Sequence, residues 1–270
     1  MNRIKLWLLM VVTALTVLSC SRADKYASLR NELEQFVADK DARIGVAVIV
    51  DGKDTVSVNG EEMFPMLSVY KFPIALALAE YYRGEGLTFD NNIPIHKEDL
   101  HLDTYSPMTE KILSSSCLVV DSMVMPARDL LRYMLELSDN NASDIVFNAV
   151  GRDFITNYIS KLGEGEIKVV NTESEMHGDR DLCYDNSSTP IAIAALFDKF
   201  NREFNDSLSL ELKEIIENCA TGTNRLAKPL EESGVVTGHK TGTGFIKEDG
   251  RIMAVNDAGY VNLPDGHRYS

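Results

Sequence analysis

Three short groups of residues in this 270-residue chain carry serine, lysine and threonine side chains in contexts where nucleophilic or binding chemistry is possible. The first is Ser68, with Lys71 three positions on and so on the same side of a helical turn. A serine hydroxyl is a poor nucleophile at neutral pH, and a desolvated lysine amine beside it is one way to activate it. A helix start adds backbone N–H groups and a partial positive charge, which favour developing negative charge. The bland reading is an N-capping serine followed by a solvated lysine, and roughly one such pair is expected by chance in a chain this long. The second group is Ser138-Asp139-Asn140, at the junction of two expected helices, where side chains either face a cleft or cap a helix. The third is Lys240-Thr241-Gly242-Thr243, in an extended segment whose glycines allow close backbone approach. Glu173 and Glu175 are the acids of interest, although an acid taken alone is more often a solvated charge than a base.

Ser68 opens an apolar stretch, residues 72–82, whose Ala and Leu content favours helix and which is expected to stop at Gly84. Pro73 fits only the first turn and disfavours helical geometry at Phe72, so an irregular start is expected. Before it come a helix over 24–40, a buried strand over 44–50, a turn at Asp51-Gly52 and a return strand over 55–58. Residues 85–124 read as loops with short extended pieces. Helices follow over about 127–137, 140–150 and 153–162, the last two stopped by Gly151 and Gly163. Residues 171–188 show no evident structure, which is unusual inside a compact domain and often functional. Helices over 191–200 and 208–219, an extended segment over 235–244 and a strand over 254–263 complete the pattern. Asp249-Gly250 and Asp265-Gly266 are turn signals, the second starting an antiparallel partner.

The formal net charge is −14, and removing Arg3 and Lys5 with a leader takes it to −16. Phosphate binding needs clustered Lys and Arg, so a nucleic-acid partner is not expected. Residues 1–20 read as a targeting segment: Arg3 and Lys5, an apolar run over 6–18, then Ser19-Cys20. The run is too short for a comfortable membrane span. Either Cys20 becomes a lipidated first residue, as in bacterial lipoproteins, or the leader is cut there for ordinary secretion. Cys117, Cys183 and Cys219 remain, with no CxxC spacing, and the five histidines have no metal-ligand spacing. No metal or other cofactor is expected.

Ser68-x-x-Lys71, Ser138-Asp139-Asn140 and Lys240-Thr241-Gly242 occur in that order, 70 and then 102 residues apart. Taken together they resemble the class A serine β-lactamases, from about residue 24 to the end. The resemblance implies an α+β fold like that shared with penicillin-binding proteins: an antiparallel sheet flanked by helices plus an all-helical domain. The α/β part would take about 24–66 and 213–270, the helical part about 67–212, with Ser68 between them. It implies hydrolysis of the β-lactam amide of penicillins and cephalosporins through a Ser68 acyl-enzyme, and antibiotic resistance. Lys71 would activate Ser68, Ser138 would relay a proton to the lactam nitrogen, and N–H groups of Ser68 and Thr243 would form the oxyanion hole. Asn140 would hold the substrate side-chain amide, and Lys240 with Thr241 its carboxylate.

Glu173, 67 residues before Lys240, matches the glutamate that activates the deacylating water, ahead of Glu175, because the family pairs it with a residue four positions on. That residue, usually asparagine, is His177 here, which resembles a subgroup of extended-spectrum and cephalosporin-hydrolysing enzymes. Asn171 and Asn186 stand where many members carry an arginine–aspartate pair, so other contacts must hold this loop. The alternatives are a penicillin-binding peptidase, and a non-hydrolysing β-lactam sensor or truncated relative. A periplasmic monomer touching the membrane only through Cys20 is expected. The family pattern continues past Ser270 with a strand and a long helix, so residues 21–270 are expected to lack both and to be poorly soluble.

Overall fold

The computed structural model describes residues 25–115, 122–230 and 234–270. The leader with Cys20, and Cys117, lie outside the described residues. Residues 1–44 form one unit, whose described element is helix α1, Ala27–Ala38. Residues 45–270 form a second unit that holds Ser68, Lys71, the Ser138-Asp139-Asn140 group, Glu173, Glu175 and the Lys240–Thr243 group.

In chain order the second unit contains β1 (Val46–Val50), β2 (Asp54–Val58), β3 (Phe64–Pro65), a 3-10 turn (Leu67–Tyr70) and α2 (Lys71–Glu85). Next come β4 (Asn92–His96), α3 (Pro107–Ser114), β5 (Ser122–Pro126), α4 (Ala127–Glu136), α5 (Asn140–Val150) and α6 (Arg152–Leu162). The remainder is β6 (Ile167–Lys168), α7 (Glu173–Gly178), β7 (Ser187–Ser188), α8 (Pro190–Glu203), α9 (Ser207–Glu217), β8 (Val236–Thr243), β9 (Val255–Asn262) and β10 (Arg268–Tyr269). The main sheet is antiparallel, in the order β2-β1-β10-β9-β8. The α+β class follows directly, with α8 packed on β1 and β9 and α9 on β8.

The turn at Asp51-Gly52 sets the β1–β2 register, with Val50 opposite Asp54 and Val46 opposite Val58. Asp265-Gly266 starts an antiparallel partner as expected: Tyr269 pairs with Val261 on one side and Val50 on the other. Pro73 explains the irregular start of α2, where a 3-10 turn precedes regular helix. The helix does not stop at Gly84. It runs to Glu85 and ends at Gly86, whose φ of 66° is the left-handed conformation that glycine adopts without strain. Two further stretches hold helix that was not expected. The short extended pieces of 85–124 are β4 and the start of β5, which pair with each other, but the stretch also contains α3, capped by Ser106 with Pro107 in the first turn. The 171–188 stretch contains α7 and a 3-10 turn, Arg180–Tyr184. Both helices are too short for apolar periodicity to reveal, and their end signals are polar.

α2 is the buried axis of the unit: ten of its fifteen residues, including Lys71, are buried. Phe72 stacks on Phe197 of α8 at 4.0 Å and meets Phe200 edge-on at 5.2 Å. Burial of such a helix stabilises chiefly through apolar area removed from water, about 25 cal/mol per Å².

Candidate active site

Ser68 lies in the 3-10 turn ahead of α2, partly exposed, and its carbonyl accepts the Lys71 N–H. Leu67, just before it, has φ +49°, a conformation that leucine adopts only when its surroundings impose it. Those surroundings are visible. Asn256 Nδ2 on β9 donates to the carbonyls of Pro65 (2.8 Å) and Met66 (3.0 Å), and Met66 N–H donates to the Asn186 carbonyl (2.8 Å). The backbone of β8 passes directly behind: a Cβ placed on Gly242 would sit 2.6 Å from Met66 O and 3.2 Å from Ser68 N.

Lys71 is fully buried, and four groups surround its ammonium. It donates to Ser138 O (2.8 Å), Asp139 O (3.3 Å) and Asn140 Oδ1 (2.6 Å), and lies 3.0 Å from Glu173 Oε1. The Ser138-Asp139-Asn140 junction resolves the choice between capping and facing the cleft. Asp139 is the cap: its carboxylate accepts Ala142 N–H at 2.9 Å, Met108 N–H at 2.7 Å and the Ser106 hydroxyl at 2.9 Å. Ser138, with φ +61°, and Asn140 are thereby left to face the lysines. Asn140 Nδ2 donates to Thr104 Oγ1 (2.8 Å), which ties the 101–106 loop to the same wall.

Lys240, also fully buried, donates to Ser138 Oγ (3.0 Å) and Thr241 O (2.9 Å). Ser138 therefore joins the two lysines, one at its hydroxyl and one at its carbonyl. Burial, and then the neighbouring charge of Lys71, push the Lys240 amine down to about 7. Thr241 Oγ1 lies 2.5 Å from Thr221 Oγ1. Arg225 was not singled out by the motifs. Its guanidinium donates to Gly242 O (3.2 Å), Asn256 O (2.8 Å) and Thr243 Oγ1 (2.6 Å), placing a second cation at the end of β8. Its role depends on contacts with residues 17 to 31 positions away, which local sequence does not encode.

Two glutamates on α7 have opposite surroundings. Glu175 completes a capping box with Thr172, accepting Thr172 N–H at 2.9 Å, and pairs with Arg152 at 2.8 and 2.9 Å. Glu173 faces Lys71 instead, with its Oε1 buried 3.0 Å from the ammonium. Asp144 of α5 fixes the helix start by accepting the N–H groups of Glu173 (2.7 Å) and Ser174 (2.8 Å). Burial raises the Asp144 carboxyl to about 7, against the pull of those two N–H groups.

The loop lacks the arginine–aspartate pair, and amide groups hold it. Asn186 Oδ1 accepts the N–H groups of Val170 (2.7 Å) and Asn171 (2.9 Å), and its Nδ2 donates to Asn171 O (2.8 Å). Asn171 Nδ2 reaches Leu182 O (3.1 Å) and Asp185 Oδ2 (3.2 Å). His177, half exposed, lies 3.4 Å from Asp103 across the cleft rim. Arg180 lies over the Phe245 ring at 4.5 Å, joining the loop to the β8–β9 hairpin. Among the described residues no His, Cys, Asp and Glu group is arranged to hold a metal ion.

A serine one turn before a buried lysine, a glutamate on that lysine and a cationic strand edge make a site suited to acyl transfer onto serine followed by hydrolysis. Comparison with known proteins agrees with that chemistry. The model of the β-lactamase enzyme family matches residues 28–270. A β-lactamase of Phocaeicola vulgatus is 36% identical over 250 residues, covering 90% of this chain and 75% of that protein. The extended-spectrum β-lactamase PER-1 of Pseudomonas aeruginosa is 32% identical over 95% of this chain and 83% of its own length. The crystal structure of a class A β-lactamase from Bacteroides cellulosilyticus superposes with a TM-score of 0.80 at 31% identity, covering 88% and 84% of the two chains. The chain belongs to the β-lactamase enzyme family, as a serine hydrolase of class A.

Proposed function

We propose that this enzyme opens the β-lactam ring of penicillins and cephalosporins through a Ser68 acyl-enzyme and so confers antibiotic resistance. Ser68 Oγ attacks the lactam carbonyl carbon, and its proton passes toward Lys71 and Glu173. The N–H groups of Ser68 and Thr243 receive the oxyanion, and Ser138 Oγ passes a proton to the departing lactam nitrogen. Lys240 and Thr241, with Arg225 at the strand end, hold the substrate carboxylate, and Asn140 its side-chain amide. Glu173 then takes a proton from the water that hydrolyses the ester.

The carrying observation is Glu173 Oε1, which is buried and lies 3.0 Å from the ammonium of Lys71. A carboxylate oxygen so placed is an acceptor for water beside the nucleophile, which a slow-deacylating peptidase does not need. Glu173→Gln keeps the shape and removes the base. Ser68 should still acylate, deacylation should slow by about a hundredfold or more, and intact-mass measurement should show a trapped adduct. Rapid turnover by the variant would place the base elsewhere.

His177 and the likeness to an extended-spectrum relative support membership of the subgroup that takes bulky cephalosporins. The basic, apolar leader ending at Cys20 supports export to the bacterial periplasm with a lipid anchor, and the enzyme acts there as a monomer. Labelling of Cys20 by a fatty-acid probe in cells, lost in Cys20→Ala, checks the anchor.

A further inference from the structure

Behind β8, on the side away from Lys240, the catalytic scheme leaves a second set of reactive groups unused. Cys219 follows α9 and is partly exposed. Its sulfur neighbours the imidazole of His239, whose Nδ1 lies 2.8 Å from Asp257 Oδ1. Asp257 is itself fixed, because its Oδ2 accepts Leu226 N–H at 3.1 Å. The order thiol, imidazole, oriented carboxylate is the arrangement that withdraws a proton from sulfur and keeps it on nitrogen. The end of a helix opposes a thiolate, so the imidazolium must supply the stabilisation. Burial works against charge on both partners, yet each is shifted toward its charged form. The thiol is lowered, by His239 and then Thr221, and the imidazole is raised to about 9 by Asp257 and Cys219. Cys183, equally partly exposed, is shifted the other way by burial and the Glu173 charge.

The cluster also touches the substrate strand. Cys219 Sγ lies 3.4 Å from Thr221 Oγ1, which lies 2.5 Å from Thr241 Oγ1. His239 and Lys240 are adjacent residues of β8. We propose that Cys219 is a covalent modification site for small soft electrophiles, coupled through Thr221 to the substrate-binding edge of β8. The sulfur attacks the electrophilic carbon. With iodoacetamide the S–C bond forms as the C–I bond breaks, iodide leaves, and the thiol proton stays on His239. The added group must then displace Thr221 from Thr241.

The test treats the full chain with limiting iodoacetamide at pH 7 and follows each cysteine by peptide mass. Cys219 should react about fivefold or more faster than Cys183. Protein modified at Cys219 should show KM for a chromogenic cephalosporin raised about threefold or more with kcat little changed. Cys219→Ala should be active and should keep its KM after the same treatment, which accounts for labelling elsewhere. The KM effect rests on the proposed function, whereas the labelling ratio does not. Equal labelling of Cys183 and Cys219 would overturn the reactive site, and an unchanged KM in the modified enzyme would overturn the coupling. His239→Asn should slow labelling of Cys219. If that variant fails to fold, the ratio within the unmutated protein still decides.

Discussion

Lys71 sits on a fifteen-residue helix whose residues are mostly buried, whereas Glu173, 3.0 Å away, sits on a six-residue helix with one buried residue, Met176. The lysine side is built by apolar packing, and its polar groups converge on two buried ammoniums. The glutamate side is built by side chains that cap backbone: Asn186 on 170–171, Asp144 on 173–174, Thr172 and Glu175 on each other. Packing of the first kind resists displacement over the whole helix, while caps of the second kind fail one at a time. A rigid nucleophile wall facing a polar, locally adjustable loop is what two-step chemistry asks for: the first step reuses one fixed geometry, and the second must admit a water.

The contrast can be broken most severely at its junction. Lys71→Met should leave Glu173 as an uncompensated buried charge, costing about 3–5 kcal/mol of stability and lowering Tm by about 10 °C, with acylation lost. Thermal unfolding with intact-mass measurement checks both, and a fully stable variant would mean that the ammonium is not the node described. Asn186→Ala strands two N–H groups and a carbonyl, an expected loss of about 2–4 kcal/mol. Its acyl-enzyme should persist while Ser68 still acylates normally, and an unchanged deacylation rate would deny the loop its dependence on the amide clasp. On the lysine wall, Lys240 is charged below about 7 and loses its proton above, so carboxylate capture weakens as pH rises. kcat/KM should fall by about tenfold per unit above pH ~8, and Lys240→Arg, which keeps its charge, should flatten the profile. A flat profile in the unmutated enzyme would contradict it. Glu175→Gln should do least, under about 1 kcal/mol, because its ion pair is exposed. An effect as large as that of Asn186→Ala would mean that Glu175 carries the loop.

The same contrast explains which parts were legible in the sequence. The strands at 46–50 and 255–262 and the helices of the packed wall announce themselves by apolar pattern and by proline or glycine at their ends. The three motif groups lie on those elements. α7 was missed although Thr172 and Glu175 spell out its capping box, because six residues carry no periodicity to draw attention to it. Gly84 reads as a stop because composition shows glycine but not its φ, and of the two glycines only Gly86 adopts the left-handed conformation. The Asn186 clasp and Arg225 were not legible at all. Their partners are mainly main-chain groups, and a backbone carbonyl or N–H looks the same at every position in a sequence.

Gly242 bears on how this enzyme can change its diet. Selection for new drugs must find room by substitution, and the backbone at 242 faces Met66 O at 2.6 Å from any added Cβ. Even alanine there would force the turn bearing Ser68 to shift, so that adaptive route is closed from the first step. Its neighbour Thr243 is exposed, and there the side chain can be exchanged without moving the nucleophile. Substitution therefore meets less resistance at Thr243 than at Gly242.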